Sequence, residues 1–374
     1  MFRFIHSSDL HLGKRFGSFS GDLPGRLREA RHGVIGRLAQ HARDHGADTI
    51  LLAGDTFDTE TPAPDIRRQA LAAMRDHAPI RWVILPGNHD SLQATQLWST
   101  LKAEAPANVV LASEPAAIHL SAGAVLLPAP CTTRRPGRDM SAWMDGAATP
   151  EGALRIGLAH GAIRDFSEEG ASSDVIAPDR AARAGLDYLA LGDWHGPLAV
   201  DPRTRYSGAP EPDRFKHQRP GEALLVSIAG RSALPEVTSL ATASFDWQTR
   251  ELHLLDSDDP LQALDALLPE SRQRRQTLLR LVVTGRSRLP SRTAMLEAVA
   301  LAAPDFAVIE LDDAGLAMDC EAGDLDLIDR AGALREAAEA LLAEAGDDGL
   351  SAGEREIARA ALARLFSYAQ AVAS

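Results

Sequence analysis

Five short polar segments, each set directly behind an apolar, strand-like run, constrain this chain more than any other feature. They are Asp9-Leu10-His11, Gly54-Asp55, Gly87-Asn88-His89-Asp90, His160-Gly161 and Gly192-Asp193-Trp194-His195. The runs before them are short, continuous and apolar, as strands buried on both faces must be. Phe2–His6, Thr49–Ala53, Trp82–Leu85, Val109–Leu111, Val125–Leu127, Leu154–Ala159 and Tyr188–Leu191 read as strands. Arg26–His45 and Pro64–His77 have helical periodicity. Strands alternating with helices predict a layered α/β domain with helices on both faces. Ligands then bind past the carboxyl ends of the strands, where all five segments lie. The glycines beside the polar residues allow tight turns and close backbone approach.

The residue types within those segments point to a metal centre. Carboxylates, imidazoles and one carboxamide suit Mn²⁺, Mg²⁺, Fe²⁺ or Zn²⁺. Thiolates are absent from the set, which disfavours a Cys-rich structural zinc site. In extended backbone Asp9 and His11, two apart, would point to the same side and turn to one ion. Seven candidate ligands are too many for one ion and suit two ions sharing a bridging carboxylate. Such pairs, roughly 3.5–4 Å apart, are the usual apparatus of phosphoester hydrolysis. Any one of the segments alone would read as a turn or a helix cap. Most of the 12 histidines, His6, His32, His41 and His253 among them, read as surface or satisfied core residues.

Composition removes several classes. With 39 basic and 52 acidic side chains, the 374-residue chain is not a strongly cationic nucleic-acid binder as a whole. The acid is concentrated at the end. Residues 302–374 carry 16 acidic and 5 basic side chains, while residues 1–301 are nearly balanced. That asymmetry sets the tail apart. Cys131 and Cys320 stand alone, so no disulfide framework is expected and a reducing, cytoplasmic location is. No run approaches the length of a membrane span, and the N-terminus lacks the apolar core of a signal peptide.

Beyond Thr204 strand-like runs follow one another: Ala223–Ile228, Glu236–Leu240 and Glu251–Leu255. They are expected to form the antiparallel end of a sandwich. Leu278–Thr284, Ser291–Ala302 and Ala307–Leu311 read as a small α+β unit. From Gly323 the chain is Ala-, Leu- and Glu-rich and helical, broken by Gly346-Asp347-Asp348-Gly349. Residues 1–242 are expected to be the main domain, 243–322 a small α+β cap and 323–374 an acidic helical tail.

The five segments resemble the signature blocks of the calcineurin-like metallophosphoesterases. Ser7-Ser8-Asp9-Leu10-His11-Leu12-Gly13, Ala53-Gly54-Asp55-Thr56-Phe57-Asp58 and Leu85-Pro86-Gly87-Asn88-His89-Asp90 resemble the SbcD-type DNA repair exonucleases in particular. The resemblance covers about residues 1–215. It implies the family's layered α/β sandwich with a small α+β cap and C-terminal helices. It implies that Asp9, His11 and His195 bind one metal, that Asn88, His160 and Asp193 bind the other, and that Asp55 bridges them. It makes His89 the catalytic histidine, with Asp90 orienting it. One block departs from the family: Gly-His-x-His is usual, and here Asp193 replaces the first His. The carboxylate adds charge and hardens the site, which favours Mn²⁺ or Mg²⁺ over Zn²⁺. Asp193 either ligates or serves only in support.

The implied function is a two-metal phosphodiesterase acting on DNA, a repair nuclease, by in-line attack of metal-bound hydroxide, with Mn²⁺ as the first candidate ion. A nucleotide or cyclic-nucleotide phosphodiesterase on the same fold is the alternative, as is a non-catalytic protein that binds DNA ends or a partner. Expected partners are DNA, an SbcC-type ATPase docked on the C-terminal helices, and a second copy of the chain. The tail's apolar stripes, Leu334, Ala338, Leu341, Leu342 and Ile357, Ala361, Leu365, fit either that partner or the chain's own core. Three further segments each admit a surface-loop reading and a substrate-contact reading: Glu211–Lys216, Arg134 with Arg135 and Arg138, and Arg272 with Arg274 and Arg275.

Overall fold

Apolar runs that alternate with helices are buried here on both faces of two sheets. The computed structural model describes residues 1–121, 123–163, 176–216, 220–255, 258–319 and 322–373. The chain divides into two units, Met1–Asp246 and Trp247–Ser374. In the first unit the strands are β1 (Phe2–Ser7), β2 (Thr49–Leu52), β3 (Arg81–Ile84), β4 (Val109–Leu111), β5 (Ile118–His119), β6 (Ala124–Ala129), β7 (Leu154–His160), β8 (Tyr188–Gly192), β9 (Leu198–Ala199), β10 (Thr204–Tyr206), β11 (Glu222–Ile228) and β12 (Glu236–Ala241).

They form two six-stranded sheets, ordered β12-β11-β1-β2-β3-β4 and β5-β6-β7-β8-β10-β9. β1 to β4 run parallel in the first sheet, and β6, β7, β8 and β10 run parallel in the second. Antiparallel strands close the edges: β11 and β12 on the first sheet, β5 and β9 on the second. Every residue of β2, β7 and β8 is buried. The sheets share one core in which Phe4, Leu51, Val83 and Leu85 meet Leu126, Ile156, Leu158, Tyr188 and Ala190.

The helix Leu23–Asp44 covers the outer face of the first sheet with Leu27, Val34, Ile35, Leu38 and Ala42. The helix Pro64–Asp76 adds Ala70, Leu71 and Met74 to the same cluster. Both start with proline in the first turn, where its missing N–H costs nothing. A third helix, Thr95–Glu104, joins them through Leu97, Trp98 and Leu101. The expected α/β layering is present. So is the bland reading of His6, which is buried with Nδ1 on the Tyr188 hydroxyl at 3.0 Å and Nε2 on the Leu191 carbonyl at 3.1 Å.

The expectation for Glu251–Leu255 needs correction. That run belongs to β13 (Asp246–Leu254), which lies beside β14 (Thr277–Arg288) and β15 (Val308–Asp319) in the three-stranded sheet of the second unit. The alternation of a half-buried strand shows that it pairs, but not with which sheet. The helix Leu289–Ala302 joins β14 to its parallel partner β15. The core of this unit holds Leu252, Leu254, Leu264, Leu281, Val283, Met295 and Leu316. The tail forms helices Ala333–Gly346 and Ala352–Ala373, broken where Gly346–Gly349 predicts. Ala338, Leu362, Ala363 and Phe366 pack with Leu289, Leu325 and Ile328, and Leu341, Leu342 and Leu365 flank them. Leu334, Ile357 and Tyr368 remain exposed. Among the described residues no helix is long and apolar enough to cross a membrane. Cys131 is buried with its thiol on the His160 carbonyl at 3.5 Å, and Cys320 lies outside the described residues.

Candidate metal centre

Five parallel strands end at one place, three from the first sheet and two from the second. β1, β2 and β3 deliver Asp9 and His11, then Asp55, then Asn88, His89 and Asp90. β7 ends on His160, and β8 leads into Asp193 and His195. The first two segments are laced side by side, with Asp9 N donating to Gly54 O at 3.1 Å and His11 N to Asp55 O at 2.9 Å.

Close approach explains two of the glycines. A Cβ on Gly87 would sit 2.1 Å from Asp55 Oδ1, and one on Gly192 would sit 2.0 Å from the Ala53 carbonyl oxygen. Neither can be accommodated without moving backbone. Four non-glycine residues of the centre also hold left-handed backbone: Asp9 at φ +55°, His11 at +43°, Asp55 at +52° and Asp193 at +98°. The extended geometry expected for Asp9 and His11 is therefore absent. The strand stops at Ser7, and left-handed turns, not pleat alternation, aim the two side chains.

The ligand atoms of Asp9, His11 and His195 all lie within 4.8 Å of one another, as do those of Asp9, Asp55 and His160. Asp55 Oδ2 stands between the groups, 3.9 Å from His11 Nε2 and 3.5 Å from His160 Nε2. Asp55 Oδ1 accepts from the His89 amide at 2.8 Å. On the far side Asp193 Oδ1 accepts from the Asn88 amide nitrogen at 3.0 Å and lies 3.7 Å from His160 Nε2. Among the described residues, no His and carboxylate triplet of this kind includes Asp193.

Orphaned atoms test whether divalent ions fit here. Asp9 Oδ1, His11 Nε2, Asn88 Oδ1 and His160 Nε2 are buried and make no hydrogen bond. Buried polar atoms are costly without a partner, and four of them converging on one carboxylate form a ligand set. Their other atoms are fixed. Asp9 Oδ2 accepts from the Ser8 hydroxyl at 2.5 Å and from Asp193 N at 3.2 Å. His160 Nδ1 donates to the Ala53 carbonyl at 2.7 Å, so the neutral ring presents its Nε2 lone pair to the centre, as metal-ligating histidines do. Hard oxygen and borderline nitrogen donors suit Mn²⁺, Mg²⁺, Fe²⁺ or Zn²⁺.

The electrostatics agree. Burial would raise the Asp55 carboxyl, but His160, His11 and His89 override it and hold it well below the usual range. Burial would lower His160, yet Asp55, Asp9 and Asp193 raise it well above an ordinary imidazole. A buried imidazolium set among three carboxylates is what excess negative charge produces when no cation is counted.

His89 is half-buried, its ring edge-on to His11 at 4.9 Å between centroids. Its Nδ1 lies 3.0 Å from the Asp58 carbonyl oxygen, which can only accept, so Nδ1 carries a proton and Nε2 is left for substrate. Asp90 does not orient this ring, contrary to expectation. Its oxygens accept from Gly87 N at 2.7 Å and Phe57 N at 3.0 Å, so it braces the loop under Asn88 and His89. Burial and the neighbouring Asp55 charge push its carboxyl up to about 7.

Sequence reasoning missed four contributors. Asp58 sits inside a quoted block and places its Oδ1 3.4 Å from His11 Nδ1. Asp213 and Arg214 meet His195, at 3.8 Å to Nδ1 and 3.2 Å to Nε2. Arg31, wholly buried, donates to the carbonyls of Leu10 at 2.6 Å and Glu211 at 2.9 Å. Only Arg31 lacked any signal, since a buried arginine on an amphipathic helix reads as a surface one. The Glu211–Lys216 segment divides. Glu211 is structural, accepting from Ser244 N, Phe245 N and Arg37, while Asp213 and Arg214 reach the centre. Arg134, Arg135 and Arg138 lie exposed on their loop, and Arg274 is held by Pro269 O and the Phe306 ring.

Comparison with known proteins places this geometry. The sequence profile of the calcineurin-like phosphoesterases matches residues 2–227. The SbcD component of the nuclease SbcCD from Bacillus subtilis is 27% identical over 248 residues, covering 56% of this chain and 61% of that protein. Its namesake from Rhodobacter capsulatus is 26% identical over 260 residues, covering 56% and 62%. The one from Escherichia coli is 37% identical over 93 residues, covering 24% and 22%. The chain thus spans less than two thirds of the length of the curated relatives it matches.

Proposed function

The chain belongs to the calcineurin-like phosphoesterases, and from that premise we propose that it is a two-metal phosphodiesterase that hydrolyses DNA in repair. The observation that carries the reading is the convergence of five strand ends from two sheets on Asp55, with four orphaned ligand atoms around it. Asp9, His11 and His195 would hold one divalent ion, and Asn88, His160 and Asp193 the other, with Asp55 between them. Mn²⁺ heads the candidates because carboxylates outnumber soft donors. The ions would activate the attacking water and neutralise charge on the phosphoryl oxygens.

The chain's own residues do the rest. Asp55 fixes the His89 amide while facing both imidazoles, which ties the substrate histidine to the middle of the centre. His89, its Nδ1 held by the Asp58 carbonyl, presents Nε2 to assist departure of the leaving oxygen by proton donation or charge stabilisation. Ser8 and the Asp193 amide hold Asp9, and Asp90 holds the turn that carries Asn88.

The names of the relatives support DNA as substrate and a two-component assembly in the cytoplasm. Residues 1–242 would act as the nuclease domain, residues 243–322 as a cap and residues 323–374 as the docking tail. An SbcC-type ATPase would take the exposed Leu334, Ile357 and Tyr368, and a second copy of the chain would complete the complex. The near balance of charge over residues 1–301 favours one other reading, a nucleotide or cyclic-nucleotide phosphodiesterase. Incubating the protein and Mn²⁺ with linear duplex DNA and, separately, with 2′,3′-cyclic AMP decides between them. Mn²⁺-dependent DNA degradation that EDTA stops is expected. Turnover of the cyclic nucleotide alone would refute the nuclease reading.

A further inference from the structure

Beside the centre one buried carboxylate holds two cations. The Asp213 side chain is 2% exposed, with Oδ2 at 2.5 Å from Lys14 Nζ and Oδ1 at 3.0 Å from Arg214 Nε. Burial would raise this carboxyl, but Arg31, Lys14, His195 and Arg214 hold it far below the usual range, so it is ionised. Lys14 and Arg214 together outweigh it by one positive charge. Their side chains are 27% and 46% exposed, so the cationic ends face solvent while the anchor does not. Arg31 pins the backbone on both sides, through Leu10 O next to His11 and through Glu211 O and Pro212 O next to Asp213. The ledge is therefore fixed relative to the ligands.

Its setting needs explaining. Asp9, Asp55, Asp58 and Asp193 already crowd the centre with negative charge, which repels an anionic substrate. Within this arrangement Arg214 Nη2 lies 3.2 Å from Nε2 of His195, an expected ligand. A ring nitrogen has one lone pair, so Arg214 leaves His195 whenever that pair is taken, while Nε stays on Asp213. Its outer N–H groups are then available at the rim, in the planar fork that matches phosphate oxygens.

We propose that Lys14 and Arg214, anchored on Asp213, form an anion subsite at the rim of the centre that receives a substrate phosphate adjoining the one attacked. The inference rests on the phosphodiesterase reading and adds to it a second phosphate contact. It requires substrates with phosphates on both sides of a nucleoside, as in a polynucleotide chain.

The test is calorimetry with thymidine 5′-monophosphate on the Mn²⁺-loaded protein, with thymidine as the phosphate-free control, and a Mn²⁺ titration of each variant. Wild type binds the monophosphate, and Arg214→Ala loses about tenfold in affinity, the scale of one charged hydrogen bond. Arg214→Lys loses less, thymidine binding is unchanged, and Mn²⁺ binds Arg214→Ala no more weakly than wild type. The proposal is overturned if wild type shows no binding of the monophosphate or if Arg214→Ala binds it unchanged. It is overturned equally if Mn²⁺ and nucleotide affinities fall together, which marks Arg214 as a structural prop. A protein that binds the monophosphate through Arg214 yet leaves DNA intact would refute the nuclease reading and leave the subsite standing.

Discussion

The two sheets contribute differently to the centre. The first supplies Asp9, His11, Asp55, Asn88 and His89, which include the central carboxylate and the substrate histidine. The second supplies His160, Asp193 and His195, one imidazole for each group of ligands. Neither sheet makes a complete group: Asp9 and His11 need His195, and Asp9 and Asp55 need His160. The centre is therefore a property of the seam between the sheets. That seam is stitched by His160 to Ala53 O and by His6 to Tyr188 and Leu191.

The sharpest way to break this division is at its middle. Asp55→Asn removes the charge that both groups share, and two cations then repel each other without a bridge. Hydrolysis should fall below detection while circular dichroism stays native, and wild-type turnover by the folded variant would end the two-metal reading. His89→Ala tests the first sheet's other role. A loss of roughly 10²–10⁴ in rate, typical of proton transfer, should come with full metal content. If metal analysis shows the ions leaving with the activity, His89 is a ligand.

The seam itself should respond to acid. Burial depresses His6 to about 3, against an ordinary value of 6.5. The folded protein then binds fewer protons than the unfolded chain between those values. The contribution is complete above about pH 6.5 and is lost as pH falls toward 3, by at most about 5 kcal/mol. Urea midpoints of wild type should drop between pH 7 and pH 4 more steeply than those of His6→Gln; parallel slopes would remove His6 from the account. The smallest effect is expected on the second sheet's side, at Asp193. Asp193→Ala should weaken one of two Mn²⁺ binding events about tenfold, as loss of a supporting ligand does, and leave the other alone. Asp193→His should restore it and shift preference toward Zn²⁺. Two unchanged events in the alanine variant would make Asp193 only a support for Asn88.

Much of this is legible in the sequence, and the failures have distinct causes. Val109–Leu111 is a strand in both readings, because a buried parallel strand leaves an unbroken apolar run. Ile118–His119 and Leu198–Ala199 are two-residue edges with no pattern to detect. Asp9 and His11 reach the centre for a reason other than the expected one, since side-chain alternation is blind to a left-handed residue. The role expected of Asp90 fails because a neighbour in sequence need not be a neighbour in space. Asp213 and Arg214 lie between a structural Glu211 and a loop, and nothing in their composition separates them from it. Which sheet takes Asp246–Leu254 depends on pairing across some thirty residues, beyond the reach of local pattern.

The left-handed residues of the centre have an evolutionary consequence. Asp9, His11, Asp55 and Asp193 each occupy backbone that glycine adopts freely and that costs other residues about 1 kcal/mol or more. A lineage released from selection for catalysis gains stability by replacing them with glycine. Decay of this enzyme into an inert scaffold is thus thermodynamically downhill, and only continued use of the chemistry opposes it.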